Sequence, residues 1–546
     1  MKKLFSFALL LLVVTSTSFA QSLENKIDKI LNEQFKENET GISVLVAKKG
    51  KVVYRKAFGK SNLELDVNMT PENVFEVGSI TKQFTAVAIL MLVEEGKLSL
   101  QDDITKFIPD YPTKGNKITV HHLLTHTSGI KSYTSMQKFG EVATIDKEPL
   151  KFIDFFKNEP MDFNPGEKYK YNNSGYFILG YIVEKVSGIS YPKFLEERIF
   201  KKLNMNASYY GSHRKLIKNR ASGYQKRNGT YSNARYISLT LPYAAGSIMS
   251  NVDDMLKWQI AISKNTLLKK ETLDIAFTNY TLNNGEKINY GYGWSLDELN
   301  DVATIEHGGA IPGYLSMGVY VPSHDVYVIA FSNCGCKRPT NLALEITALT
   351  IGKPMFNETN KVTLSKEALN KWVGTYEFDN GAIRYITLEG EQLYSKRDGS
   401  SQKFKIFPTS VNEFSFEDGL ISYVFSEKEG KKRVLFKNRI NKEKGIFSTK
   451  KAPKEKEEIK VAANVLKKYE GKYELTPGFV ITITAKEQQL FAQATGQPQF
   501  ELFAESPTKF FLKVVAASVE FHQDEQGNTN ALTLFQGGRE MKAKKQ

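Results

Sequence analysis

The sequence predicts an α+β protein: an antiparallel sheet flanked by helices, a helical lobe beside it, and two small all-β modules after it. Three observations carry this reading. Two β-hairpin patterns stand far apart, over 42–57 and 315–331, with a largely helical stretch between them. A run with helical spacing precedes the first hairpin and another follows the second. After about residue 355 the texture changes to short strand-like runs broken by Gly, Asn and Asp, and one pattern occurs there twice.

Residues 1–20 read as a secretory signal, with Lys2 and Lys3, an apolar run over 4–14, and Ser18-Phe19-Ala20 ahead of cleavage before Gln21. The apolar run is too short to span a bilayer, no Cys follows it for lipid attachment, and no later stretch approaches membrane-spanning length. Leu23, Ile27, Ile30, Leu31 and Phe35 recur at helical spacing and predict a helix over 22–37. Runs 42–47 and 52–57, joined by Lys48-Lys49-Gly50-Lys51, predict the first hairpin. Runs 315–321 and 326–331, joined by Pro322-Ser323-His324-Asp325, predict the second, and 341–350 the closing helix. Placing both hairpins in one sheet, with the end helices packed on it, leaves the intervening helices as a second lobe. The cleft between sheet and lobe is where a site is expected.

The C-terminal repeat has the form Leu-x-x-aromatic-x-Gly-x-Tyr: Leu369, Trp372, Gly374 and Tyr376, then Leu466, Tyr469, Gly471 and Tyr473. Each copy opens a small, barrel-like β module. The charged, Pro-broken stretch around Pro453 reads as a linker. The expected division is a mixed domain over 21–355, module one over 356–450, linker 451–465 and module two over 466–546.

The net charge of +14 comes from 74 basic and 60 acidic residues with Lys scattered along the chain, which describes a solvated basic surface. No helix-turn-helix, zinc-finger or RNA-binding signature accompanies it, so nucleic acid is not an expected partner. Cys334 and Cys336 are separated by one residue, a spacing that argues against a mutual disulfide, and two ligands alone make no zinc site. They read as small residues at a strand end.

Chemistry is concentrated in three places. Ser79 and Lys82 share a face at the start of an apolar helical run over 84–93, where the first-turn N–H groups favour negative charge. A Ser hydroxyl needs a base, and a Lys serves as one only when burial or positive neighbours lower its pKa. Tyr171-x-Asn173, after Pro165-Gly166, can bring a phenol and an amide to one point. His307-Gly308-Gly309-Ala310 precedes the second hairpin, where a strand edge can present an N–H as half of an oxyanion hole. A Ser-His-Asp arrangement is disfavoured by the lack of Gly-x-Ser-x-Gly.

In order and spacing these motifs resemble those of the class C β-lactamase, DD-peptidase and esterase group of penicillin-recognising serine hydrolases. Leu123-Leu124-Thr125-His126-Thr127-Ser128-Gly129-Ile130, and Ala245-Gly246-Ser247 before Asp253-Asp254, fit the same group. The resemblance covers roughly 25–350, and it implies a β-lactamase/transpeptidase-like fold. The C-terminal repeats are similar to lipocalin-like modules appended to some relatives. The resemblance implies that Ser79 forms an acyl-enzyme, that Lys82 and Tyr171 share the proton traffic, and that Asn173 orients Lys82 or the substrate amide. It implies further that the Ser79 and Ala310 N–H groups hold the oxyanion, that no metal or organic cofactor is needed, and that His121, His122 and His126 are structural.

The substrate expected is a small peptide, an ester or a β-lactam-like amide. Peptidase or esterase action is favoured over efficient β-lactamase action, because His307 stands where β-lactamases carry a Lys that reads the substrate carboxylate. The rival reading is a binding protein with a vestigial hydrolase lobe. The β modules are candidates for shaping cleft access or mediating assembly. His213, His324 and His522 read as surface residues, Trp258, Trp294 and Trp372 as core aromatics, and 290–294 as packing by default, with cleft lining as the other reading.

Overall fold

The computed structural model describes residues 23–357, 361–451 and 458–546. The signal segment and most of the charged part of the linker lie outside these. Helix α1 covers 23–34 and turns Leu23, Ile27 and Leu31 inward. Strands β1 (Ile42–Lys48) and β2 (Lys51–Phe58) follow. Between them Lys49 (φ 53°) and Gly50 (φ 71°) both take left-handed backbone, the geometry that suits a two-residue hairpin turn. Asp28 ties α1 to β2 by accepting from Tyr54 Oη and Lys56 Nζ, each at 2.7 Å.

Helices α2 (Thr81–Glu94) and α3 (Asn173–Ser187) belong to the lobe between the hairpins and pack on each other. Every residue of α2 from Thr81 to Leu92 is buried, as expected of a helix that is apolar nearly all round. Strands β3 (Ser295–Leu299), β4 (Val302–Ile311), β5 (Tyr314–Val321) and β6 (Val326–Ser332) return the chain to the sheet. Helix α4 (Thr340–Thr350) packs on β5 and β6.

Among the described residues these strands form one six-stranded sheet in the order β3-β4-β5-β6-β1-β2, antiparallel throughout. The two hairpins meet through β1 and β6, with Ile42 opposite Ser332 and Lys48 opposite Val326. Both strands are continuous apolar runs because both faces are covered.

Cys334, just past β6, is joined to Cys336 by a disulfide, contrary to the expectation from spacing. The chain bends there so that the two Cα atoms lie 5.1 Å apart, within reach of a bond that a fully extended Cys-x-Cys would not make.

The C-terminal part contains two closed eight-stranded barrels, one from Gly374 to Ser448 and one from Gly471 to Lys545. The repeated pattern builds the same plug in each. Trp372 stacks on Phe425 and Tyr469 on Phe521. Tyr376 Oη donates to the Trp372 carbonyl at 3.0 Å, and Tyr473 Oη to the Tyr469 carbonyl at 2.7 Å.

The chain divides into two compact units, the second being Phe356–Gln546. The main core cluster draws its members from Leu45 to Phe331, and each barrel has a core of its own. A chain ending at Met355 is therefore expected to express as a soluble, cooperatively folding protein. Circular dichroism melting and fluorophosphonate labelling of that truncation check it. Aggregation, or a melt without a transition, would mean that the barrels complete the fold.

Candidate active site

The site forms where one edge of the sheet meets the lobe. β3 begins at Ser295, opposite Glu306, so among the described residues no strand pairs with β4 on that side from His307 onward. The 3₁₀ turn Gly78–Ile80, which leads into α2, packs there instead. Two glycines permit the approach. A Cβ on Gly78, whose φ is +54°, would fall 2.8 Å from the Ala310 nitrogen, and a Cβ on Gly309 would fall 2.0 Å from the Val77 oxygen. Ser316 Oγ on β5 donates to the same Val77 oxygen at 2.8 Å and holds the turn against the sheet.

Ser79 is half-buried in this turn. Lys82, on the first turn of α2, is fully buried. Its Nζ stands 3.0 Å from Ser79 Oγ and 2.8 Å from each of two acceptors, Asn173 Oδ1 and the Ala245 carbonyl; a neutral amine donates its two N–H groups to those acceptors and accepts from the Ser79 hydroxyl. None of these acceptors carries a charge, and burial holds the amine's pKa well below the usual lysine value. The arrangement favours a neutral amine one hydrogen bond from the Ser79 hydroxyl.

Tyr171 and Asn173 flank Asn172, the N-cap of α3, whose side chain accepts from Gly175 N–H at 2.8 Å. Asn173 Nδ2 donates to Thr134 Oγ1 at 3.2 Å, leaving its oxygen for Lys82. Tyr171 as a whole residue is 38% exposed. Desolvation of the hydroxyl pushes the phenol's pKa up, opposed by its interaction with Ser79. His126 locks this segment from below. Its carbonyl accepts from Lys170 N–H at 3.0 Å and its Nδ1 from Asn172 N–H at 3.1 Å. Its ring centroid lies 4.3 Å from that of Tyr171. The Leu-Leu-Thr-His segment thus carries a residue packed directly on the site, which sequence reasoning treated only as structural.

His307 stands on β4 beside this cluster. It is 5% exposed and both ring nitrogens are engaged. Nδ1–H donates to the Gly308 carbonyl at 2.6 Å, and Nε2 accepts from Tyr290 O–H at 2.9 Å. Burial lowers its pKa to about 3 against the Gly308 hydrogen bond. An acid-gated contact to a substrate carboxylate does not fit this ring. A depressed pKa keeps the imidazole neutral down to about its folded value, so lowering pH from 8 to 5 leaves it uncharged. His307→Gln should therefore change the size of kcat/KM for a neutral ester but not its pH profile over that range. Loss of a wild-type ionisation near pH 6.5 in the variant would show that the ring titrates. Tyr290, in the run read from the sequence as packing or cleft lining, is the partner that orients it.

Ser79, Lys82, Tyr171 and Asn173 thus converge around one amine, with His307, Gly308, Gly309 and Ala310 along the adjacent strand edge. Beyond Ala310 an open hollow of about 600 Å³ is lined by Lys226, Arg227, Arg235 and Arg338. These come from segments that carry no local signal of a site.

Such a fold with such a serine-lysine-tyrosine cluster defines a class of penicillin-recognising serine hydrolases. The family model described as Beta-lactamase matches residues 21–344, and the chain belongs to that family. A second model, described as a domain of unknown function, matches 455–545, over the second barrel. Penicillin-binding protein 4* of Bacillus subtilis is 30% identical over 410 residues, covering 70% of this chain and 89% of that protein. Among solved structures, the octameric penicillin-binding protein homologue from Pyrococcus abyssi is 29% identical with a TM-score of 0.54, covering 78% of this chain and 99% of the other. A D-stereospecific amidohydrolase from Streptomyces is 25% identical with a TM-score of 0.52, covering 62% and 98%.

Proposed function

We propose that the protein is an exported hydrolase that cleaves a small amide or ester through an acyl-serine at Ser79, acting as a peptidase or esterase. The observation that carries this is the buried, uncharged-partnered Lys82 amine at 3.0 Å from Ser79 Oγ. Lys82 takes the hydroxyl proton as Ser79 Oγ bonds to the substrate carbonyl carbon. The N–H groups of Ser79 and Ala310 hold the oxyanion. The tetrahedral adduct collapses, the bond to the leaving nitrogen or oxygen breaks, and Tyr171 gives that atom its proton and regains one from Lys82. Water then attacks the ester, passing a proton to Lys82 and on to the departing Ser79 oxygen. Asn173 orients Lys82. The basic hollow beyond Ala310 supports substrates bearing a carboxylate, a role that neutral His307 does not fill. The Cys334–Cys336 disulfide supports export, since such bonds persist in oxidising compartments. The octameric Pyrococcus abyssi relative makes assembly through the barrels part of the reading.

The test is fluorophosphonate labelling with mass spectrometry, followed by a panel of D-aminoacyl amides, short-chain esters and β-lactams. One adduct, on the peptide holding Ser79, and turnover of an amide or ester faster than of penicillins are expected. No adduct would favour a binding protein. An adduct that persists in Ser79→Ala would place the nucleophile elsewhere.

A further inference from the structure

The first barrel is plugged at one end by Trp372 and Tyr376 and opens at the other into a cavity of about 570 Å³. Strand alternation aims Arg384 inward, since it shares a face with the core residue Ile386. Arg397 stands directly opposite Arg384 on the neighbouring strand, so it faces the same way. Like charges opposed across two strands destabilise a sheet, so the pair needs another explanation. Glu443 accepts from Arg384 Nη2 at 3.2 Å. Arg384 Nε is buried without a hydrogen-bond partner among the described residues, and its guanidinium lies 3.7 Å from the centroid of the Phe436 ring. Arg397 is exposed at the mouth. The walls are Phe404, which is 51% exposed, and Phe416. Lys405, Glu417 and Asp418 stand at the rim. Asp418 Oδ1 is spent on the N–H groups of Leu420 and Ile421.

The second barrel is an internal control. Gly374 faces Ile386 as Gly471 faces Ile483, so the two copies align strand by strand. The pair Arg384–Arg397 then corresponds to Ile481–Ala494. Ser395 corresponds to Ala492, and Glu443 to Met541. The same barrel closes with an apolar interior at all four places, so the polar cluster is not a requirement of the fold.

We propose that the open end of the first barrel binds a small amphiphilic carboxylate, with its charged group on Arg384 and Arg397 and its apolar part against Phe404 and Phe416. Among the described residues Glu443 pairs with Arg384, and no carboxylate bonds Arg397, which leaves that guanidinium to be matched. A carboxylate suits the flat donor fork of Arg. The aromatic walls and enclosed volume suit a compact apolar group.

Isothermal titration of the full chain with octanoate, and with 1-octanol as the uncharged counterpart, tests this. Octanoate should bind saturably and at least tenfold more tightly than octanol. Arg397→Ala should weaken octanoate at least tenfold and leave octanol unchanged. Arg384→Ile, which installs the residue of the second copy, should do the same while its far-ultraviolet circular dichroism stays that of the wild type. No saturable octanoate binding, equal affinity for octanol, or octanoate binding untouched by Arg397→Ala would overturn the proposal. If Arg384→Ile does not fold, the exposed Arg397 decides alone.

Discussion

Replacing Lys82 with methionine is expected to cut the acylation rate by about two to four orders of magnitude, the usual worth of a positioned general base. That is roughly 3–5 kcal/mol of transition-state stabilisation. Methionine fills much of the lysine volume and removes only the amine, so the buried helix α2 should keep its packing. Lys82→Arg sharpens the test. Arginine supplies donors but is permanently charged and has no accessible neutral form. If the role of Lys82 is to accept a proton, arginine should be as inactive as methionine. If the role is to hold Asn173 and the Ala245 carbonyl in place, arginine should restore part of the rate. The pH profile gives a second reading. Burial lowers the lysine pKa, and the neutral amine is the active form, so kcat/KM should rise with pH through a group titrating well below the ordinary lysine value. A profile that stays flat into mild acid while methionine remains active would remove Lys82 from the proton path.

Much of the fold was legible because its signals are local. The β-rich runs 42–47 and 52–57, the turn at Lys49-Gly50 and the apolar run of β6 each follow from neighbouring residues. That both hairpins share one sheet was expected from economy; that they meet through β1 and β6 was not specified. The barrels were legible because the aromatic-x-Gly-x-Tyr pattern occurs twice and makes the same plug twice. Ser79 and Lys82 lie three residues apart, so their meeting needs only one helical turn. What was not legible is non-local. The Ala245 carbonyl that accepts from Lys82 is a backbone atom with no residue signature. Tyr290 meets His307 only because the chain doubles back through β3 and β4. The Cys334–Cys336 bond depends on a bend that spacing alone does not reveal. The burial of His307, which decides its charge, depends on the whole lobe.

The phenol of Tyr171 should matter more to an amide than to an activated ester. Burial pushes its pKa up, so it sits in the cleft as a proton donor rather than as a phenolate. An amine must gain a proton to leave, whereas a nitrophenolate departs without one. Tyr171→Phe is therefore expected to slow amide cleavage by about two to four orders of magnitude and nitrophenyl-ester cleavage by about tenfold or less. The phenylalanine ring retains the stacking that positions the segment, since the contacts to His126 and to Lys82 Nζ, at 4.3 and 4.7 Å, are made by the ring and not by the hydroxyl. The fold, and labelling of Ser79 by a fluorophosphonate with a good leaving group, should survive. The measurement is kcat/KM for an amide and a nitrophenyl ester sharing one acyl group, in wild type and variant. A loss of equal size on both would mean that Tyr171 acts before the leaving group departs, as partner of Lys82 in activating Ser79. Full activity on both would leave Lys82 to carry the proton from Ser79 Oγ to the leaving atom alone.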